Sequence, residues 1–166
     1  MFYRNNPNNM KSSPYITANG MARLNDELEQ IWVRRRDVVR ALSAAAAEGD
    51  RSENAEYIYR KKELRGLDRR IRYLQRRMPD LKVISEQPTD VSKIFFAARV
   101  MLENDHKDEV EYRIVGPDEI DHNKGNISLD SPLAQALLGK EVDDDVTIHV
   151  QDGKKTYFII AINYEP

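Results

Sequence analysis

The chain has 166 residues, enough for one domain or two small ones. Its charged fraction is 33% and its hydrophobic fraction 40%, and no apolar run is long enough for a membrane span or the core of a signal peptide. The absence of cysteine excludes a disulfide framework and a thiolate metal site, so a cytoplasmic protein is expected.

The net charge of −2 conceals an asymmetry along the chain. Residues 51–82 contain eleven basic and five acidic side chains, a net charge of +6, whereas residues 86–166 contain eight basic and seventeen acidic ones, a net charge of −9. This split favours a polyanion as partner of the first segment and a basic or neutral protein surface as partner of the second. Solvated helix faces are the alternative explanation that the charges leave open.

Residues 1–13 are polar, rich in Asn and without periodicity, so we expect a loose N-terminal tail. A helix is predicted after them, with Thr17 as its N-cap. Steps of three and four residues then connect a seam that is apolar except for one arginine: Met21, Leu24, Leu28, Ile31, Arg35, Val38, Leu42 and Ala45. Gly49 is a typical residue to end this helix.

A second helix is predicted from another seam with the same spacing: Tyr57, Arg60, Leu64, Leu67, Ile71, Leu74, Met78 and Leu81. Two helices of roughly 30 residues are each about 45 Å long. Only a few residues separate them, so the second helix must return antiparallel to the first. We therefore predict a coiled-coil hairpin over residues 14–82, with a tip that projects because so small a protein cannot cover it.

The pattern changes after Pro79, and a linker is predicted over residues 83–92. Short β-type runs follow, separated by turn-forming pairs such as Lys124-Gly125 and Asp152-Gly153; they cover residues 94–102, 110–115, 126–129, 146–150 and 157–164. Residues 132–138 predict one short helix with Ser131 as N-cap and Pro132 at its first position. Residues 93–166 therefore predict a β domain with one helix, and the fold class is α+β.

The loop between the two long helices reads Gly49-Asp50-Arg51-Ser52-Glu53-Asn54-Ala55-Glu56-Tyr57. One interpretation is structural: Asp50 caps the second helix and Glu53 reaches back, as in a capping box. The other is functional, because Asp50 and Glu53 place two carboxylates on one side of the tip, and carboxylates hold Mg²⁺ weakly together with water. An isolated tip has no walls to form a pocket, so it would have to enter the active site of another molecule.

Two further features each have a structural and a functional interpretation. A basic stripe recurs at spacings of three and four on the second helix, at Lys61, Arg65, Arg69, Arg72 and Arg76. It suits the phosphates of a nucleic-acid strand, and arginines lying along a coiled-coil flank are the alternative. The run Leu129-Asp130-Ser131-Pro132-Leu133-Ala134 is explained as a capped helix start. His106, His122 and His149 lack the spacing of a zinc site, and no P-loop or GxGxxG turn is present.

The tip sequence, together with Lys61-Lys62 and the run from Asp68 through Arg69-Arg70-Ile71-Arg72-Tyr73 to Leu74, closely resembles the bacterial transcript cleavage factors of the Gre family. Arg51-Ser52 and the density of basic residues on the second helix resemble the GreB branch of that family rather than GreA. The runs Tyr112-Arg113-Ile114-Val115-Gly116 and Ile127-Ser128-Leu129-Asp130-Ser131-Pro132-Leu133-Ala134 are similar to the family's C-terminal domain. The resemblance covers residues 14–164.

This resemblance implies a function. In the family, the hairpin enters the secondary channel of bacterial RNA polymerase, and an FKBP-like, antiparallel C-terminal β domain holds the β′ coiled coil at the channel rim. The tip then helps the polymerase active site cut the 3′ end of the nascent RNA in a backtracked complex. We expect a monomer that makes no membrane contact and is not an enzyme alone.

The resemblance also implies roles for individual residues. Asp50 and Glu53 would be the catalytic pair and would bind Mg²⁺ jointly with the polymerase. A basic set would steer the RNA: Arg60, Lys61, Lys62, Arg65, Arg69 and Arg72. Asp130, Ser131 and Pro132 fall in the segment that docks on the polymerase.

The chain departs from the family in its C-terminal domain. Phe96-Ala97-Ala98 replaces the usual Phe-Gly-Ala, Asp143-Asp144-Asp145 replaces a Gly-Asp turn, and Val150-Gln151 replaces a Thr-Pro pair. Two alternative functions remain: a Gre-like regulator that occupies the channel without cleavage, and a non-catalytic coiled-coil adaptor or chaperone. Intact Asp50 and Glu53 argue against the first, and the polar tip argues against the second.

Overall fold

The structure is a computed structural model that describes residues 11–49 and 54–166. The chain divides into two compact units. Asn19–Leu81 forms one, here called the hairpin unit, and the residues up to Ala18 and from Lys82 to Pro166 form the other, here called the sheet unit. In the part of the chain that is described, no helix is both long enough and apolar enough to cross a membrane.

The hairpin unit is built from two long helices. Helix α1 spans Ala18–Ala47 and helix α2 spans Ala55–Arg77. At 23 residues, α2 is shorter than predicted, because Pro79 has no N–H to continue the helix and the last turn tightens into a 3₁₀ turn at Met78–Asp80.

Both predicted seams are confirmed, since each of their residues is buried or half-buried. Leu24, Val38 and Ala45 are buried on α1, and Ile71 and Leu74 on α2. Full burial of an aliphatic side chain of this size stabilises a protein by roughly 2 kcal/mol, so the seam supplies most of the energy that holds the two helices together.

Ion pairs between the helices show that they run antiparallel. Glu27, near the start of α1, pairs with Arg70 near the end of α2 at 2.5 Å. Arg34, further along α1, pairs at 2.7 Å with Glu63, which lies earlier on α2. These partly exposed pairs contribute less than about 1 kcal/mol each, so their main effect is to set the register.

The sheet unit contains a five-stranded sheet among the described residues. The strands lie in the order β5-β4-β3-β7-β6. Their bounds are β3 Arg99–Glu103, β4 Glu109–Val115, β5 Asn126–Ser128, β6 Asp145–Val150 and β7 Gly153–Asn163. Neighbours are antiparallel except β4 and β5, which are parallel. The α+β class, with a helical hairpin and a largely antiparallel β domain, is confirmed.

One face of this sheet packs against helix α3, which spans Pro132–Leu137. Ala134 and Leu137 of α3 are fully buried in a cluster with strand residues such as Leu102, Ile114 and Ile159. The predicted start of α3 is confirmed, because the Ser131 hydroxyl accepts a hydrogen bond from the Ala134 N–H at 3.2 Å and Pro132 is the first helical residue.

Two short strands belong to the sheet unit although the hairpin separates them in sequence. Strand β1, Tyr15–Thr17, pairs in parallel with β2, Lys82–Ile84. Parallel strands need a long connection, and here that connection is the entire hairpin. The predicted linker over residues 83–92 therefore begins as a strand, which the sequence could not indicate because three residues show no alternation.

The predicted loose tail over residues 1–13 also differs from the structure at its end. The Ser13 N–H donates a hydrogen bond to a carboxylate oxygen of Asp130 at 2.9 Å, and the Ser13 hydroxyl donates to the other oxygen. The next residue, Pro14, accepts a hydrogen bond from the Lys82 N–H at 2.7 Å. Ser13 is therefore bound to the sheet unit rather than loose.

Two departures from the family coincide with unusual backbone. Ala97 has φ +71° and Asp143 has φ +73°, both in the left-handed region that favours glycine. Both positions fall in segments where the resemblance implies a glycine: Phe96-Ala97-Ala98 stands for Phe-Gly-Ala, and Asp143-Asp144-Asp145 stands for a Gly-Asp turn. This chain keeps the glycine-type conformation with an L side chain, at a cost of roughly 1 kcal/mol per residue.

Candidate functional site

The predicted catalytic pair, Asp50 and Glu53, lies outside the described residues. The structure does describe the two chain ends from which this segment starts and finishes. On one side, α1 ends at Ala47 and Gly49 follows with φ +146°, a value that favours glycine. On the other side, Asn54 immediately precedes α2.

Asn54 is the N-cap of α2. Its side-chain oxygen accepts a hydrogen bond from the Tyr57 N–H at 3.0 Å. The interpretation of Asp50 as the cap of this helix is therefore wrong, because α2 begins at Ala55, five residues after Asp50, and Asn54, a closer residue with an equally good capping side chain, occupies the N-cap. Asn54 takes the capping role that this interpretation gave to Asp50.

The same Asn54 side chain also binds the end of α1. Its amide Nδ2 donates to the Ala45 carbonyl oxygen at 2.7 Å, and the last carbonyls of a helix lack partners within the helix. One amide thus satisfies a donor at the start of α2 and an acceptor at the end of α1. An N-cap of this kind contributes about 1 kcal/mol, and here it also fixes the separation of the two helix ends that carry the tip.

The basic residues of α2 fall into two groups. Most of the predicted RNA-binding residues are exposed and form no ion pair within the described part of the chain; they are Lys61, Lys62, Arg65, Arg69 and Arg72. Lys61 also lies 5.8 Å from the centre of the Tyr57 ring. We call these five residues the basic face.

Arg60 differs from the basic face because it occupies a seam position. Its Nε donates to Glu56 at 2.7 Å and its Nη1 donates to Glu63 at 3.2 Å. The hydrogen bond that Arg60 donates to Glu56 is the main cause that raises the pKa of Arg60 above its ordinary value. Because Arg60 already pairs with two carboxylates, the local net charge is not positive and attracts a phosphate only weakly. We therefore expect Arg60 to stabilise α2 rather than bind RNA.

The predicted docking segment, residues 130–132, connects β5 to α3 on the sheet unit. Asp130 and Pro132 are exposed and Ser131 is half-buried. Hydrogen bonds hold the backbone on both sides: the Asp130 N–H donates to the Ser128 hydroxyl at 3.0 Å, and the Ser131 N–H donates to the Ser128 carbonyl at 2.9 Å. The segment thus presents a carboxylate and a proline ring on a fixed turn.

A metal site is not formed by the described residues alone. Among them, no group of three or more His, Asp or Glu side chains is placed to hold an ion. Asp50 and Glu53 supply oxygen donors, which Mg²⁺ prefers, and Mg²⁺ is often held by one or two carboxylates with water and phosphate completing its shell. The donor types fit a shared magnesium ion.

Comparison with known proteins identifies the family. Residues 14–83 match the model of the N-terminal domain of transcription elongation factors, and residues 87–164 match the C-terminal domain of GreA/GreB transcription elongation factors. The chain belongs to the GreA/GreB family. The Xanthomonas axonopodis pv. citri transcription elongation factor GreB is 55% identical over 93% of this chain and 93% of its own length. The Pseudomonas aeruginosa GreB is 49% identical over 98% of both chains.

Solved structures of the GreA/GreB type are more distant in sequence. The GreA factor homolog 1 of Thermus thermophilus is 24% identical, covers 90% of this chain and 97% of its own, and gives a TM-score of 0.42. The elongation factor GreA/GreB of Nitrosomonas europaea is 19% identical, covers 92% of this chain and 100% of its own, and gives a TM-score of 0.42.

The predicted site residues of this GreA/GreB family member lie on two different units. The basic face belongs to the hairpin unit, and Asp130, Ser131 and Pro132 belong to the sheet unit. The sequence analysis did not identify Asn54 as the residue that connects the two helix ends, nor Ser13 as the partner of Asp130. Asn before a helical pattern is a recognised N-cap signal, so Asn54 could have been considered as a candidate cap beside Asp50. No local pattern marks Ser13.

Proposed function

We propose that this chain is a transcript cleavage factor: its hairpin enters the secondary channel of bacterial RNA polymerase and stimulates cleavage of the RNA 3′ end in backtracked complexes. The proposal is carried by the position of the acidic sequence between two helix ends that the Asn54 side chain holds together. A GreA/GreB-type acidic sequence joins two antiparallel helices, and hydrogen bonds of the Asn54 side chain connect the end of α1 to the start of α2. The proposal places the chain in the cytoplasm, as a monomer.

The tip carboxylates have distinct roles in this proposal. Asp50 supplies an oxygen ligand that supports the binding of a second magnesium ion at the polymerase active site. Glu53 orients the attacking water by accepting a hydrogen bond from it, or adds a second ligand to the ion. When bound, magnesium supplies positive charge that stabilises the developing charge on the phosphate. The polymerase supplies the remaining ligands, so the chain is not an enzyme by itself.

The basic face and the docking segment act before the chemical step. Exposed cations on α2 attract the phosphates of the extruded RNA, and each neutralised phosphate releases counterions. Asp130, Ser131 and Pro132 contact the β′ coiled coil at the channel rim. Binding at the rim raises the local concentration of the tip, which needs only weak affinity for the active site itself.

The test adds the purified chain and Mg²⁺ to stalled, backtracked elongation complexes of a bacterial RNA polymerase with RNA labelled at its 5′ end. We expect the labelled RNA to shorten and to be extended again when nucleotides are supplied. RNA without polymerase should remain intact, because the tip alone lacks a complete metal site.

Two other outcomes would contradict the proposal. Binding to the polymerase that inhibits RNA synthesis without any cleavage would support a channel-binding regulator. No binding to the polymerase would leave only the coiled-coil adaptor. Both outcomes can be read in the same experiment if complex formation is followed by a gel shift.

The basic face makes a separate prediction about salt. We expect the Lys61→Gln, Arg65→Gln, Arg69→Gln triple variant to have a weaker salt dependence of half-saturation in the cleavage assay. Each phosphate contact with a single strand contributes about 0.7 to the slope of log affinity against log salt, so three lost contacts reduce the slope by about 2. The measurement is a titration of the factor at several salt concentrations.

Two single variants define which arginines matter for this slope. Arg65→Gln should lower it by about 0.7. Arg36→Gln removes an exposed arginine from α1 and should leave the slope unchanged. An identical slope for the wild type and the triple variant would show that the basic face is only a solvated helix surface.

A further inference from the structure

Ser13 donates two hydrogen bonds to the exposed Asp130 carboxylate of the docking segment. Its backbone N–H donates to Oδ2 of Asp130 at 2.9 Å, and its hydroxyl donates to Oδ1. The two residues are 117 positions apart in the sequence, so this contact is formed only by the folded sheet unit. Ser13 is half-buried, whereas Asp130 is exposed.

The residues that follow Ser13 fix the position of its backbone and hydroxyl beside Asp130. Pro14 disfavours helical backbone at the residue before it, so Ser13 is biased towards an extended conformation. The Pro14 carbonyl accepts the Lys82 N–H at 2.7 Å, and Tyr15–Thr17 continues as strand β1 against β2. Gly116 is packed so closely on this strand that a Cβ atom there would lie 1.9 Å from the Tyr15 carbonyl oxygen. Ser13 is thus presented by an anchored strand.

We propose that Ser13 is a positioning residue for docking on the polymerase: it holds the Asp130 carboxylate in the orientation that the polymerase binds. The inference rests on the docking role of Asp130 in the proposed function. Each carboxylate oxygen has two acceptor sites, so Asp130 can bind Ser13 and still accept hydrogen bonds from a partner. The partner surface should present donors, such as an arginine side chain or backbone N–H groups.

Preorganisation predicts an effect on affinity rather than on the chemical step. An Asp130 side chain without Ser13 must lose rotamer freedom when it docks, and that loss weakens binding. Ser13→Ala keeps the backbone donor and removes the hydroxyl, so we expect about a three- to tenfold rise in the factor concentration for half-maximal cleavage. The maximal cleavage rate at saturating factor should not change.

Three further variants make the test specific. Ser13→Asp places a carboxylate against Asp130 and should raise the half-saturating concentration more than Ser13→Ala does. Ser13→Thr retains both donors and should behave as the wild type. Asp130→Asn measures the docking role itself and should raise the half-saturating concentration without changing the maximal rate.

A matched control exists elsewhere on the sheet unit. Ser92 also binds an aspartate through its N–H and its hydroxyl, although both donate to the same oxygen, Oδ1 of Asp90, at 3.1 Å and 2.5 Å. The hydrogen bonds from Ser92, chiefly that of its hydroxyl, lower the pKa of Asp90. Ser92→Ala removes a serine hydroxyl from an exposed aspartate outside the docking segment, so its half-saturating concentration should equal that of the wild type.

The outcomes separate this inference from the proposed function. If Asp130→Asn weakens docking and Ser13→Ala does not, the positioning role of Ser13 is wrong and the docking segment stands. A fall in the maximal rate of Ser13→Ala would equally overturn it, because positioning for docking affects only half-saturation. If Asp130→Asn docks as tightly as the wild type, the docking role of Asp130 is wrong and the inference falls with it.

Discussion

Asp50→Asn and Glu53→Gln variants are expected to bind RNA polymerase as tightly as the wild type and to cleave RNA at least about tenfold more slowly, a rise of about 1.4 kcal/mol or more in the activation barrier. Each substitution keeps the size of the side chain and removes its negative charge. Amide oxygens are weaker ligands for magnesium and weaker acceptors for the proton of an attacking water. The loss therefore falls on the chemical step.

The measurement separates binding from chemistry. Cleavage is followed at saturating factor in backtracked complexes, and binding is measured by competition with labelled wild-type protein. Asp50→Asn should also require more magnesium for half-maximal cleavage, since it loses a ligand. Glu53→Gln should show the smaller magnesium shift if Glu53 acts on water.

Glu48→Gln is the matched control for this pair. Glu48 lies between the end of α1 and Gly49 and is exposed, and the proposal gives it no ligand or water contact. It should cleave at the wild-type rate. Equal cleavage by the wild type, Asp50→Asn and Glu53→Gln would remove the catalytic assignment and leave a factor that acts only by occupying the channel.

The long helices could be predicted because their information is local. Spacings of three and four residues place Leu24 and Val38 on one side of α1, and Ile71 and Leu74 on one side of α2; all four are buried as the pattern requires. Helix α3 was predictable for a similar reason, because Ser131 and Pro132 carry the capping signal within two residues.

The contacts that the sequence did not predict join residues that are far apart along the chain but close together in the structure. Strands β1 and β2 have three residues each and pair across the whole hairpin, so neither shows a periodic pattern. The contact of Ser13 with Asp130 was not predictable either, because the two residues are 117 positions apart and no local pattern connects them. The left-handed backbone at Ala97 and Asp143 could not be predicted from the residue types, because residues other than glycine rarely adopt this conformation.

The tip was predicted in part. Its place between two antiparallel helices follows from the seams, whereas the roles of Asp50 and Glu53 came from the resemblance to the Gre family. The local capping argument selected Asp50, and the structure shows Asn54 in that role. Both residues are good N-caps by type, so only the observed start of α2 at Ala55 separates them.

Glu119 offers the second large expected effect, on stability. The residue is only 4% exposed, and its carboxylate accepts three hydrogen bonds. The Thr17 N–H donates to Oε2 at 3.0 Å, the Gly116 N–H donates to Oε2 at 2.8 Å, and the Thr17 hydroxyl donates to Oε1. This single side chain joins the end of β1 to the turn that follows β4.

Glu119→Ala is expected to destabilise the sheet unit by about 3 kcal/mol, because it leaves two buried N–H groups and a hydroxyl without their acceptor. For a unit of this size, that loss lowers the Tm by on the order of 10 °C or more. Amide hydrogen exchange measures the effect by position. Exchange should accelerate at Thr17 and Gly116, whereas Val38 and Leu74 in the hairpin unit should exchange at the wild-type rate.

Glu119→Gln is the control that distinguishes the hydrogen bonds from the space the side chain fills. The Gln oxygen can accept both N–H groups, and its NH₂ can donate to the Thr17 hydroxyl oxygen, so only the charge is lost. We expect a loss of about 1 kcal/mol, since hydrogen bonds to a charged acceptor are stronger than those to a neutral one. If alanine and glutamine destabilise the sheet unit equally, the hydrogen bonds of Glu119 contribute nothing beyond its charge. If neither variant changes exchange at Thr17 or Gly116, the contact does not anchor β1, and the anchored strand that presents Ser13 to Asp130 must be held by its pairing with β2 alone.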